Sequence, residues 1–314
     1  MNEAQTRVSL HLQPDDHTMH KAKHFNTGVC PLTWGLILLL AALVSPSPSR
    51  AAAPENRCGE AVIVKTHDST TTRYAFLPST KTSAAEHPIT LVLLPGGSGH
   101  LDLDETGCPR ALKGNSLVRS IPLFAAAGFG TALVDAPSDY HGEDGLGGFR
   151  ITTQHAEDLG KIIADLRTRT PGAVWLIGTS RGTISAVNAA TRLSGAFAPD
   201  GVVLTSALTL GDSMAKKKWV AHTVFDLPLQ ELRLPLLVVG HAADKCSRSP
   251  ADLMNKVVER TRSLREQVVT VTGGPGQAGA ASVIACEGRT PHGFIDQEGE
   301  VAAGIERFIR GGDY

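Results

Sequence analysis

Gly178-Thr179-Ser180-Arg181-Gly182 reads G-x-S-x-G. An apolar, β-branched run, Ala173 to Ile177, leads into it, and a helical stretch rich in small residues, Thr183 to Leu193, follows. Strand, sharp turn and helix form the context in which a serine is presented as a nucleophile. At such a turn the serine takes a strained backbone conformation, and side chains at the flanking positions would strike the adjacent strand and helix. The backbone N–H of Arg181 then falls at a helix N-terminus, where developing negative charge is favoured. A serine is a poor nucleophile at neutral pH. It needs a base within hydrogen-bond reach, and that base needs a carboxylate to hold its tautomer.

The elements that would position this chemistry alternate along the chain. Strands are expected at residues 60–66, 73–77, 89–94, 131–135, 173–178, 202–205, 235–240 and 267–272. The run Ile89 to Leu94 is almost continuously apolar, as a strand covered on both faces requires. Helical spacing of apolar residues marks residues 115–128, with Pro122 expected in a first turn, and residues 152–169. The last helix is expected at residues 297–310. This alternation predicts an α/β fold with a mostly parallel central sheet and helices on both faces. Pro95-Gly96-Gly97-Ser98-Gly99-His100 closes one apolar strand, and its unencumbered N–H groups can converge on an anion. The glycine-rich loop His141 to Gly148 is expected to border the site, with Tyr140 or His141 near substrate or in solvent.

The chain has 314 residues, 42% hydrophobic and 19% charged, with a net charge of −1, which gives no argument for a nucleic-acid partner. Its first 53 residues differ from the rest. Lys21, Lys23 and His24 precede an apolar run from Val29 to Val44, then Ser/Pro breakers and Ala51-Ala52-Ala53. These are the parts of a secretory signal peptide, so residues 1–53 are expected to be a leader and 54–314 a single catalytic domain. The expected location is secreted or periplasmic, with no stable membrane partner after cleavage. The alternative is an uncleaved N-terminal membrane anchor. Outside the leader there are four cysteines, Cys58, Cys108, Cys246 and Cys286, and an even number in an exported domain predicts two disulfides in one of three connectivities. No C-x-x-C or tight Cys/His cluster suggests a metal. Gly274 to Gly279 matches G-x-G-x-x-G, but it follows the last strand and contains Pro275, so no dinucleotide cofactor is expected.

Two further stretches complete a pattern. The strand ending at Val239 runs into Gly240-His241-Ala242-Ala243-Asp244-Lys245-Cys246, and Pro291-His292-Gly293-Phe294 separates the last strand from the final helix. With the serine turn and the Pro95–Gly99 loop, these make residues 60–312 resemble the α/β-hydrolase superfamily of serine hydrolases. The resemblance implies a nucleophile, acid and base in that chain order: Ser180, Asp244 and His292. It implies an oxyanion hole from the N–H of Arg181 with one from Gly97 or Ser98. His241 is a weaker base candidate because it precedes the acid, and Asp212 and Asp226 are rival acids. The layout favours the pairs Cys58–Cys108 and Cys246–Cys286, the second holding the acid and base loops together. Two departures stand out: Pro95 replaces the histidine common in relatives, and the segment from Gly273 to Pro291 is long. Between Leu208 and Leu234 there is room only for a minimal lid. The implied function is an exported carboxylesterase-like hydrolase acting on a small-molecule or peptide acyl substrate through an acyl-enzyme. Alternatives are a serine peptidase or amidase with the same triad, and a non-catalytic binding protein on the same scaffold.

Overall fold

The computed structural model describes residues 58–80 and 87–314. The expected leader, residues 1–53, lies outside the described residues. Eight strands form one sheet in the order β1-β2-β4-β3-β5-β6-β7-β8. They are β1 (Glu60–Lys65), β2 (Thr71–Leu77), β3 (Ile89–Leu94), β4 (Gly130–Pro137), β5 (Ala173–Thr179), β6 (Gly201–Thr205), β7 (Leu236–His241) and β8 (Glu266–Val271). The hairpin β1–β2 is antiparallel and joins β4 antiparallel, while every pair from β4 to β8 is parallel.

Period-two alternation divides the core into two layers. Val92, Leu94, Val174, Leu176, Val202, Leu204, Leu236 and Val238 point to one face. There they meet Leu159, Ile162 and Ile163 of α2 (Thr153–Arg169) and Ile184 and Val187 of α3 (Gly182–Arg192). Leu91, Leu93, Trp175, Ile177, Val203, Leu237 and Val239 point to the other. They pack on Leu117 and Phe124 of α1 (Ser116–Ala126) and on Ile305 and Phe308 of the C-terminal helix. A short α4 (Asn255–Val258) precedes β8, and α5 (Glu298–Ile309) is that C-terminal helix.

Helix starts follow side-chain capping. Asn115 accepts from the Leu117 N–H at the start of α1, and Thr152 accepts from the His155 N–H at the start of α2. Pro122 departs from expectation: it lies inside α1, beyond the first turn, where it withholds a backbone donor. No long helix joins β6 to β7. Three short 3-10 turns fill that excursion, and Leu208, Val224, Leu229 and Leu232 anchor it in the core layer that contains α3. Among the described residues, no helix is long and apolar enough to cross a membrane.

The order reverses between β4-β3 and β5-β6, so the chain leaves β3 and β5 in opposite directions. A crevice opens at the carboxyl ends of these two strands, the usual place for a ligand in such sheets.

The β1–β2 turn is pinned to the body by a charged cluster. His67 Nε2 lies 3.0 Å from Asp139 Oδ2, and His67 Nδ1 bonds Asp158 of α2, which also meets Lys161. Burial opposes charge on His67, but the hydrogen bonds and attraction of Asp158 and Asp139 outweigh it and raise its pKa. A raised folded value means that the protonated ring stabilises the fold fully below its unfolded pKa of about 6.5. That stabilisation is lost as pH rises through the folded value. His67→Gln is therefore expected to lower the melting temperature by several degrees near pH 5.5 and by less near pH 9. A difference that stays constant across that range would contradict the ion-pair role.

Candidate active site

Ser180 stands at the end of β5 with φ +51°, in the left-handed region. Its N–H donates to the Thr205 carbonyl at 3.0 Å, and its carbonyl accepts from the Thr183 hydroxyl at 2.6 Å. The two glycines of the motif are required by contact. A Cβ on Gly182 would lie 1.9 Å from the Leu94 carbonyl oxygen, and one on Gly178 would lie 2.5 Å from the Gly182 carbonyl oxygen. Both distances are far inside van der Waals contact, so strand, turn and helix meet only where these side chains are missing.

Beside Ser180 is a cavity of about 340 Å³. Its wall includes Gly96 and Gly97 from the turn after β3, Asn115 and Ser116 at the start of α1, and His292 and Gly293. A Cβ on Gly96 would fall 2.9 Å from that of Ser180, so this turn lies directly against the serine. The N–H groups of Gly97, Ser98 and Arg181 have no acceptor among the described residues. Gly97 lines the cavity and Ser98 does not. The Ser98 hydroxyl instead accepts from the His100 N–H, and its carbonyl accepts from Leu146.

Asp244 and His292 come together from loops after β7 and β8. His292 Nδ1 lies 2.8 Å from Asp244 Oδ2, with both side chains buried. The other carboxylate oxygen accepts from the Cys246 N–H at 2.7 Å. With Nδ1 so engaged, His292 Nε2 is buried and has no partner among the described residues. Such an imidazole can take a proton at Nε2 while Asp244 steadies the resulting charge.

Several residues hold this half of the site that sequence reasoning did not single out. Arg119 of α1 donates to the carbonyls of Gly288 at 2.8 Å and Gly293 at 2.7 Å, and it also bonds Glu298. The Ser206 hydroxyl donates to the His292 carbonyl at 2.7 Å. Apart from the Glu298 pair, these contacts join residues far apart in sequence through backbone acceptors, and backbone acceptors leave no residue-type pattern. Both expected disulfides are present, Cys58–Cys108 with S–S 2.11 Å and Cys246–Cys286 with S–S 1.99 Å. The Cys246 sulfur lies near Asp244 and His292 but is bonded to Cys286, so it has no thiolate to offer a metal. The long segment before His292 holds a short 3-10 turn, Ile284–Cys286, and Ser282 bridges to Cys246.

Other candidates lie elsewhere. His241 is buried and its Nδ1 accepts from the Ala243 N–H, and burial lowers its pKa. Asp212 pairs with Arg248, and Asp226 closes a capping box with Thr223. The loop at residues 141–148 does not line the cavity: His141 stacks on His100, and Tyr140 on Phe149. The Arg181 side chain also turns away from the cavity wall, with its guanidinium 4.0 Å above the Trp219 ring. Burial lowers its pKa to about 10, and Arg248 adds to the shift.

No protein-family model matches the chain, and no curated protein matches it. Solved structures do. Esterase 2 of Thermogutta terrifontis in its apo form is 14% identical, with TM-score 0.54 over 82% of this chain and 97% of that one. An α/β serine hydrolase without a lid from Xanthomonas campestris is 13% identical, with TM-score 0.50 over 82% of this chain and 95% of that one. Puromycin hydrolase is 13% identical, with TM-score 0.54 over 81% of this chain but 40% of that one.

Replacing Cys246 and Cys286 by serine is expected to lower the unfolding free energy by about 2–4 kcal/mol, as read by urea denaturation. An unchanged midpoint and slope would show that the bridge does not constrain these loops. The sheet order, the turn at Ser180 and the three structural likenesses lead to one statement: this chain has the α/β-hydrolase fold.

Proposed function

We propose that the chain is a serine hydrolase that cleaves small acyl esters, with Ser180 as nucleophile, His292 as general base and Asp244 as the acid that orients it. One observation carries the reading. A serine in a strained turn and a histidine with a free Nε2 and a carboxylate-bound Nδ1 line or back the same cavity. His292 Nε2 takes the Ser180 proton as Oγ attacks the ester carbonyl. The carbonyl oxygen becomes an oxyanion that accepts from the N–H groups of Arg181 and Gly97. Ser98, displaced from the cavity wall, is the less suited second donor. The imidazolium returns its proton to the leaving alcohol. Water, deprotonated by His292, then attacks the acyl-enzyme, releasing the carboxylic acid and restoring Ser180.

The cavity favours a short acyl group. About 340 Å³ is near the lower end for ligand pockets, and among the described residues Leu112 is the one large aliphatic residue in its wall. Glycine backbones and polar side chains make up most of the rest. The same machinery can cleave an amide, and the likeness to puromycin hydrolase makes aminoacyl amides the second substrate class to test. Two disulfides fit an oxidising compartment, and with the leader-like first 53 residues they support export of a catalytic domain spanning residues 54–314.

The test is an activity series on p-nitrophenyl esters of rising chain length, beside aminoacyl amides, with active-site labelling by an organophosphonate. Turnover is expected to be highest for acetate to butyrate and to fall steeply by octanoate, with the label on Ser180. Ser180→Ala should lower kcat by roughly 10⁴-fold or more. Labelling at another serine, or retained turnover in that variant, would refute the assignment. No turnover across the series, with Ser180 unlabelled, would favour a binding protein on this scaffold.

A further inference from the structure

Arg150 is among the most deeply buried residues in the chain, at 1% exposure, and it pairs with no carboxylate among the described residues. It follows the Phe149–Ile151 turn's first residue, just ahead of α2. Removing a cation from water without a counter-ion is costly, and a buried aliphatic side chain would fill the same space without that cost. Burial and the nearby Arg181 lower its pKa to about 9, which leaves the group charged at neutral pH. What the guanidinium touches gives a reason for its presence. Nη2 donates to the Pro95 carbonyl at 3.0 Å, and Nη1 donates to the Ser185 hydroxyl at 2.8 Å. Ser185 belongs to α3 and is also 2.9 Å from His155 Nε2. A Cβ on Gly99 would lie 2.4 Å from Nη2, so the far end of the glycine turn also rests on the guanidinium. The turn closes on itself through Gly99 N–H to the Gly96 carbonyl.

We propose that Arg150 is the positioning residue of the oxyanion turn: it grips Pro95 and underlies Gly99, and so fixes the backbone between them, which carries the Gly97 N–H. The inference rests on the hydrolase reading above. Because a peptide unit is planar, holding the Pro95 carbonyl also sets the direction of the Gly96 N–H and the entry into Gly97. Three glycines in five residues leave this turn little stiffness of its own, so an external clamp is needed to keep a donor aimed at the oxyanion. Arginine suits the task because its rigid fork reaches two acceptors at once, here one on the turn and one on α3, the helix that begins just after Ser180. The positive charge lies behind the turn and favours negative charge in front of it. Arg150 touches no substrate in this scheme and acts through Pro95 and Gly99.

The test compares wild type with Arg150→Met and Arg150→Lys, using p-nitrophenyl acetate turnover and inhibition by a trifluoromethyl ketone that Ser180 converts to a hemiketal oxyanion. Arg150→Met is expected to lower kcat roughly 10–100-fold with KM changed less than about threefold, and to weaken the ketone by a similar factor to kcat/KM. Arg150→Lys should recover part of the loss. If Arg150→Met does not fold, Ser185→Ala carries the test with Arg150→Lys. It frees one arm of the fork and should show the same kcat-selective loss on a smaller scale. Folded variants with unchanged kcat and ketone affinity would overturn the proposal while leaving the hydrolase reading intact. A loss that appears only in KM would also overturn it. A wild-type protein with no turnover and an unlabelled Ser180 would overturn the hydrolase reading and this proposal together.

Discussion

The rest of the site depends on how closely three backbones converge at Ser180. Gly182 leaves only enough room for a hydrogen where a methyl would strike the Leu94 carbonyl, and Gly178 does the same beneath Gly182. This contact brings the end of β3, the end of β5 and the start of α3 into one point. It holds Ser180 at positive φ, lays the Pro95–Gly99 turn against it and sets the helix N-terminus beneath. Strain of about 1–3 kcal/mol at such a residue persists only because the surrounding packing leaves no alternative. The two apolar layers on either side of the sheet provide that packing.

The site has two halves built on different principles. Ser180, Gly97 and Arg181 sit at element ends and inherit the rigidity of the sheet. Asp244 and His292 sit in loops, where each residue ordered costs about 1–2 kcal/mol of backbone entropy. The loop half therefore depends on added ties: the Cys246–Cys286 bond, the Arg119 contacts with Gly288 and Gly293, and the Ser206 bond to the His292 carbonyl. All four reach backbone or sulfur and leave His292 Nδ1 and Asp244 Oδ2 to one another. A hydrogen bond of 2.8 Å between two loop residues 48 positions apart is maintained by this scaffolding more than by its own strength.

Much of this was legible in the sequence because it follows from local rules. Continuous apolar runs marked the inner strands, since β3 through β7 are covered on both faces. The spacing of Gly178, Ser180 and Gly182 records a steric need that only glycine meets. The meeting of Asp244 and His292 could be anticipated because strand order assigns them to neighbouring loops. What could not be read is set by tertiary contact. Pro122 looked like a helix start because proline is favoured there, yet the apolar face of α1 packed against the sheet sustains the helix through it. Gly97 and Ser98 are adjacent in one glycine-rich turn and indistinguishable by pattern, yet Gly97 lines the cavity while the Ser98 carbonyl accepts from the Leu146 N–H. Arg119 and Arg150 gave no signal, because the contacts that tie them to the site run to carbonyls and a hydroxyl distant in the chain: Gly288 and Gly293 for Arg119, Pro95 and Ser185 for Arg150.

Those two arginines show how polar groups can organise a site from behind. Each is largely shielded from water, and each reaches backbone carbonyls of a glycine-containing turn: Gly288 and Gly293 for Arg119, Pro95 for Arg150, whose other arm holds the Ser185 hydroxyl. Glycine is needed in these turns because neighbouring backbones and side chains approach too closely for a Cβ, as at Gly96, Gly99, Gly288 and Gly293. The same absence of side chains removes the packing that would otherwise hold a turn in place. A planar cation with several fixed donors restores that order without adding bulk to the turn itself. The cavity between the two turns can then stay open and glycine-lined while its walls remain fixed, a combination that apolar packing alone would not supply.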